Sequence, residues 1–402
     1  MYENEKKKIL FVMDSMNVGG VEKSLISLLL NIDYCKYDVD LFIFKHNGLF
    51  LDMIPSQVNV LPINKDIKYL LLRKNAIFKD LFNSFRFFDK KVAFNIFSSV
   101  VKGLFTKNME MQRQSLWTKC NYIIKNMEKE YDVAIGYHSI TTSYMVIDKV
   151  NAKKKIGWIH NDYGTVQRNT EIDKSYFNLL DEIVTVSDLC GKGFVCAFPE
   201  FEEKINIIHN IVSPNLIHKM SIENKGFDDE FNGIRIISLA RLESQKGLDL
   251  AIQACAILAK TYNIRWHIFG EGPDEYKLKK MVKQYGVEEV FIFSGITKNP
   301  YTYMRQANIY AQTSRHEGKP IAVDEAMILT KPILLTNFST ASDQIDNGIN
   351  GIITEKSPEA IAEGLEKYIN DRSLGEAFSQ ILKQKVHDNI DELEKVYDLI
   401  NE

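Results

Sequence analysis

The chain lacks the cysteine pattern of a disulfide framework. Its five cysteines (Cys35, Cys120, Cys190, Cys196 and Cys255) are odd in number, and none sits in a C-x-x-C or beside a histidine at metal spacing. They read as reduced thiols of a cytoplasmic protein. No apolar run approaches the roughly 20 residues that cross a bilayer. The opening MYENEKKK leads straight into a strand, without a secretory apolar segment. Any meeting with a membrane is therefore expected at its cytoplasmic face. A G-x-G-x-x-G fingerprint is missing, which argues against a dinucleotide cofactor. Net charge is only −3, so nonspecific nucleic-acid binding by the whole molecule is not expected. Asp38 and Asp40 form a D-x-D of the kind that can hold a metal, but they stand at a strand entry with no partner acid near in sequence. No metal and no cofactor are expected.

What is present is the composition of a globular protein, 45% hydrophobic and 26% charged, in 402 residues that suit two domains. Buried-type strands recur at KILFVM (8–13), DVDLFIF (38–44), VNVL (58–61), YDVAIG (131–136), KKIGWIH (154–160), EIVTVS (182–187) and KINIIH (204–209). A second series follows at 234–239, 265–270, 290–294, 308–313, 333–336 and 351–353. Strands alternating with helical segments mean parallel, doubly wound sheets in an α/β protein. The expected boundaries are 1–212, a linker at 213–228, 229–385, and a terminal helix at 386–402.

One stretch departs from this regularity. Residues 65–125 hold thirteen Lys/Arg against four Asp/Glu, together with eleven aromatics. Ile77, Leu81, Phe85, Phe88, Val92 and Ile96 recur at helical spacing, with Lys79, Arg86, Lys90 and Lys91 off that line. The stretch reads either as a helix packed on its own domain with a solvated basic face, or as an insert that meets anionic lipid.

The candidate site centres on SRHEGKPIAVDEAMIL, residues 314–329. Glu317 and Glu325 bracket Gly318, Lys319 and Pro320, where a strand hands over to a helix, the edge at which open α/β sheets bind ligands. Pro320 suits a first helical position, and Pro332 ends the helix by Leu329. Eight helical residues would separate the glutamates by roughly 12 Å. That favours two ligand contacts over a shared proton. Arg241 stands at a strand end, and Lys246 where a helix begins. A helix N-terminus with a guanidinium and an ammonium beside it makes a diphosphate site; as loop charges the two would be unremarkable. Gly270, Glu271 and Gly272 form a turn whose backbone a ligand could approach closely. Gly19 and Gly20, after the first strand, read as a similar approach or as a packing turn.

Together G19-G-V-E22, W158-I-H-N-D162, V184-T-V-S187, A240-R-L, Q245-K-G247, F269-G-E-G-P273 and the E-G-x-P-x4-E of 317–325 resemble glycosyltransferase family 4, the retaining group 1 glycosyltransferases. The resemblance covers nearly the whole chain and is weakest across 62–130. It implies the GT-B fold, two Rossmann-like domains facing a central cleft, with the terminal helix crossing back onto the first. It implies Glu317 at the donor sugar, Glu325 at the nucleotide ribose, Arg241 and Lys246 on the diphosphate, Gly19 and Gly20 opposite it, and His160 near the reacting sugar. No metal is implied. Lys319 stands where many members have phenylalanine, and resembles a subset in polysaccharide assembly.

The expected function is metal-independent transfer, with retention, from a nucleotide-sugar, UDP-linked, to a lipid-linked or polysaccharide acceptor on the first-domain side. A sugar-nucleotide 2-epimerase of the same architecture and an inactive sugar-nucleotide binder are the rivals. A merely structural histidine at a strand end is the other reading of His160.

Overall fold

The computed structural model describes residues 5–402 except 18, 65, 72–89, 107, 161–162, 166 and 385–389. The chain divides into two compact units, Met1–His209 with Glu392–Glu402, and Asn210–Asp391.

The first unit is built on β1 (Lys7–Ser15), β2 (Tyr37–Lys45), β3 (Asn59–Val60), β4 (Glu130–Gly136), β5 (Asn151–Ile159), β6 (Glu182–Thr185) and β7 (Ile205–Ile207). They form one sheet in the order β3-β2-β1-β4-β5-β6-β7, with every pairing parallel. Ile9 to Met13 are fully buried, as a central strand covered on both faces requires. Parallel neighbours need crossover connections, supplied by helices such as Gly20–Asn31, Ile140–Lys149 and Asp188–Ala197. The strand order reverses between β1 and β4.

Within the basic stretch, Ile77, Leu81, Phe85, Phe88, Lys79 and Arg86 lie outside the described residues. Val92 and Ile96, on helix Lys90–Thr106, are buried in the same core as Leu116 and Trp117. At these two positions the apolar line is core packing, in keeping with the first of the two readings. Lys90 and Lys91 are exposed, as are Phe94 (64%) and Phe97 (42%).

Asp38 and Asp40 lie at the start of β2, the sheet edge opposite the strand-to-helix loops. Lys129 Nζ lies 3.2 Å from Asp38 and 3.0 Å from Asp40, which also accepts from Tyr131 and Asn59. The D-x-D is occupied by protein donors. Among the described residues no cluster of three metal-ligating side chains occurs.

The second unit contains β8 (Ile234–Leu239), β9 (Ile264–Phe269), β10 (Phe291–Gly295), β11 (Ile309–Gln312), β12 (Ile333–Thr336) and β13 (Ile352–Thr354). Their order is β10-β9-β8-β11-β12-β13, again all parallel, with the reversal between β8 and β11. Trp266, Phe291, Leu334 and Leu365 anchor its core.

The expected linker at 213–228 is corrected: its first part is helix Pro214–Glu223, within the second unit. Ser213 caps it and Pro214 opens it. Ile217 and Met220, one turn apart, are buried, and the Met220 carbonyl accepts from Asn299 and Thr302. Two apolar residues in a polar segment are a weak sequence signal, but they are enough once helix Tyr301–Gln306 packs against them.

Helix Ile390–Asn401 docks on the first unit. Tyr397 stacks on Tyr37 at 5.5 Å, and Lys7 Nζ donates to the Ile400 and Asn401 carbonyls. Glu392 accepts from the His209 backbone N–H at 2.8 Å and meets His209 Nδ1 at 3.0 Å.

Candidate active site

The second unit gathers its expected site residues where its strand order reverses. Lys246 follows β8, Glu317 follows β11, and Lys246 Nζ donates to Glu317 Oε1 at 2.6 Å. Both side chains are largely buried, at 16% and 7% exposure. The same Oε1 accepts from Gln312 Nε2 (2.9 Å) and Ser314 Oγ (2.5 Å). Gln312 is itself oriented, because the buried Tyr310 hydroxyl donates to its Oε1. Burial, reinforced by the charges of Glu325 and Glu317, keeps that phenol protonated far above its ordinary value. Charge-assisted contacts to one oxygen from three donors hold Glu317 in a single orientation.

The loop carrying Glu317 is braced from both sides. Arg315 forms a bidentate pair with Asp249 (2.8 and 2.7 Å) and donates to the Ser244 carbonyl. The Arg315 fork holds the Asp249 carboxyl below the ordinary carboxylate range against the opposing effect of burial. Thr336 Oγ1 donates to the Ser314 carbonyl, Thr340 Oγ1 to that of Glu317, and Gln344 Nε2 to that of Pro320. Gly247 takes φ +61, and a Cβ there would lie 2.0 Å from the Thr313 carbonyl oxygen. Only glycine lets the β8 and β11 loops lie this close.

Pro320 is the residue before helix Ile321–Ile328 rather than its first residue, so Gly318 to Pro320 are loop. The continuous-helix separation of the glutamates therefore does not apply. Glu325 is 1% exposed and accepts from Tyr301 at 2.8 Å. Its charge raises the Tyr301 hydroxyl further above a value already lifted by burial. The Lys319 carbonyl accepts from Asn210.

Arg241 behaves differently from Lys246. Its side chain is 67% exposed and only 3.9 Å from Glu243. The Gly270–Gly272 turn is fastened to the Arg241 loop: Leu242 N donates to the Glu271 carbonyl, and Asp274 N to that of Leu242. Gly270 has φ +153, and a Cβ there would meet the Ala240 carbonyl oxygen at 2.0 Å. The close approach this glycine permits is to the neighbouring loop.

In the first unit, Gly19 precedes and Gly20 opens helix Gly20–Asn31. His160 follows β5 and is buried, its ring 4.8 Å from that of Tyr137 and stacked at 6.2 Å on that of Trp158. The sequence reading missed Tyr310 and Gln312, whose strand positions read as packing, and Tyr301 and Arg315, which no spacing marked. It also missed Asp14 and His138. His138 Nδ1 lies 3.2 Å from Asp14 Oδ2, and its Nε2 4.0 Å from Glu22 Oε1. Burial opposes the imidazolium, but the two carboxylates outweigh it and hold the His138 pKa above its ordinary value.

Two doubly wound parallel sheets, the second with a lysine and a glutamate joined across its switch point, are the architecture of the GT-B fold. Comparison with known proteins narrows the class. Residues 223–385 match the family described as glycosyl transferases group 1. An uncharacterized glycosyltransferase of Haemophilus influenzae is 25% identical, covering 92% of each chain. The capsular polysaccharide biosynthesis glycosyltransferase CapM of Staphylococcus aureus is 25% identical over 54% of this chain and 61% of that one. Anabaena HepE, solved in complex with UDP and glucose, superposes with a TM-score of 0.67 at 16% identity, over 98% of this chain and 99% of that one. Over residues 223–385 the chain is similar to the group 1 glycosyl transferases, and its fold is GT-B.

Proposed function

We propose that the protein transfers a sugar from a UDP-linked donor, with retention at the anomeric carbon, to a lipid-linked or polysaccharide acceptor. The observation that carries this reading is the Lys246–Glu317 pair across the β8–β11 switch point, an ammonium and a carboxylate held where a sugar diphosphate would lie. Lys246 and the exposed Arg241 would neutralise charge on the leaving diphosphate, the large electrostatic contribution in such reactions. Glu317, once Lys246 turns to the phosphate, would accept hydrogen bonds from the donor sugar. Glu325, with Oε1 held by Tyr301, is the carboxylate for the ribose hydroxyls. His160 is the residue proposed to orient sugar hydroxyls. UDP bound to HepE supports the choice of nucleotide, and the resemblance to CapM supports an acceptor in polysaccharide assembly.

The test is nucleotide release from UDP-sugars in the presence of a bacterial membrane extract, with transfer of labelled sugar followed in parallel. UDP release coupled to labelled product, undiminished in excess EDTA, is the expected result. Interconversion of the sugar without an acceptor, or binding without turnover, would overturn it. Loss of activity in EDTA restored by Mn²⁺ would overturn the metal-independent part.

A further inference from the structure

Each sheet reverses its strand order once, between β8 and β11 in the second unit and between β1 and β4 in the first. The crevice outside the carboxyl ends of the strands at such a point is where open α/β sheets take their ligands. In the second unit that position carries the Lys246–Glu317 pair. In the first it carries another pair of opposite sign, with Asp14 near the end of β1 and His138 just past β4, 3.2 Å apart.

The first-unit pair is a built arrangement. Glu22, in the first turn of helix Gly20–Asn31, folds back over Gly19 and brings Oε1 to 4.0 Å from His138 Nε2. Thr142 Oγ1 accepts the backbone N–H groups of His138 and Ser139, fixing the turn that presents the imidazole. His138 and Lys45 offset the burial of Asp14 and hold its carboxyl below the ordinary range. Asp14 and Glu22 stand against His138 and Lys45, and Arg113, whose charge also lowers the Asp14 carboxyl, is itself paired with Glu110, so no surplus of positive charge remains. This is not a phosphate site.

Asp14 Oδ2 faces His138, while Oδ1 is buried and has no hydrogen-bond partner among the described residues. A buried carboxylate oxygen left without a donor costs roughly 1–3 kcal/mol or more. Here the missing donor is uncharged, because no countercharge remains to be satisfied. A hydroxyl meets that requirement.

We propose that Asp14, oriented by His138, is the binding residue for a neutral saccharide hydroxyl of the acceptor, at the β1–β4 switch point of the first unit. The assignment rests on the glycosyltransferase reading for the word acceptor, but not for the chemistry of the site. Saturation-transfer NMR with octyl glucoside, octyl galactoside and octyl N-acetylglucosaminide, without any donor, reads this site directly. Calorimetry with UDP reads the donor site separately. Asp14→Asn is expected to weaken glycoside binding at least tenfold while the UDP Kd stays within twofold. His138→Gln, which leaves Asp14 in place but unoriented, is expected to weaken it several-fold and serves if Asp14→Asn does not fold.

Unchanged glycoside binding in both variants overturns the proposal. So does a parallel loss of UDP affinity, which would make the pair a structural tie, or a wild-type protein that binds none of the three glycosides. A wild type that binds glycosides through Asp14 but not UDP leaves this inference standing and defeats the donor reading instead.

Discussion

At the scale of single residues, the Lys246–Glu317 contact turns two sequence assignments into one coupled switch. The ammonium is engaged by Glu317 at 2.6 Å, so under the proposed function an incoming diphosphate would compete for it. Even the ~1 kcal/mol of a good exposed ion pair would oppose nucleotide binding by roughly fivefold in Kd, which sets the lower bound for this buried one. Glu317→Gln is therefore expected to tighten UDP binding at least about fivefold in calorimetry while lowering turnover at least ~10²-fold. Repeating it in a Lys246→Met background should abolish the tightening. If it persists there, repulsion by the carboxylate alone is responsible and the competition is wrong. That Glu317 and Lys246 lie where strands hand over to helices was legible in the sequence, because the apolar strand runs end just before them. Gln312 and Tyr310 were not, since a polar side chain inside a strand announces no direction. His138 was not, because a lone histidine after a strand carries no spacing signal until β1 lies beside β4.

At the scale of elements, helix Ile321–Ile328 ends in a Schellman arrangement with an unusual residue. Lys331 N donates to the Ala326 carbonyl and Thr330 N to that of Met327, while Thr330 takes φ +51. A β-branched residue in this region is strained by ~1–2 kcal/mol, partly offset in a glycine variant by greater freedom of the unfolded chain. Thr330→Gly is expected to raise the urea midpoint of the second unit by an amount worth ~0.5–1 kcal/mol. A fall in the midpoint would mean that contacts of the threonine outweigh its strain. Pro332 foretold where the helix stops, but the left-handed residue was invisible because glycine is its usual marker.

Helix Ile390–Asn401 yields a pH prediction. The Glu392 carboxyl is driven down from 4.5 to about 2, with burial opposing and the contacts of His209 and Lys395 prevailing. A depressed carboxyl contributes stability that is complete above its unfolded value and is lost as pH falls through the folded one. Amide-exchange protection of 391–401 should thus decline between about pH 4.5 and 2. Glu392→Gln should show weakened protection at neutral pH and no further step in that window. An unaltered acid step in the variant would assign it to another group.

At the scale of the whole molecule, charge is segregated: 65–125 is strongly basic, while the chain carries −3 in all. Lys90, Lys91 and the exposed Phe94 and Phe97 share helix Lys90–Thr106, whose other face is core. Aromatic rings beside lysines suit an anionic lipid surface, with ~1 kcal/mol per lysine, screened by salt. Salt-sensitive flotation with anionic but not neutral liposomes is expected, reduced by the pair Phe94→Ser and Phe97→Ser. Binding unaffected by that pair, or absent at low salt, would rule this face out. Among the described residues no helix is long and apolar enough to cross a membrane. The two-sheet architecture was legible because parallel strands are apolar on both faces. The helix at 214–223 was not, because its burial depends on a partner some eighty residues away. The first unit is also interrupted in sequence, since Glu392–Glu402 belongs to it and the whole of Asn210–Asp391 intervenes. During translation at roughly 5–20 residues per second, the first unit waits on the order of ten to forty seconds for its last helix. For that interval the surface of Tyr37 and His209 stands uncovered on the nascent chain, a window in which a chaperone has something to hold.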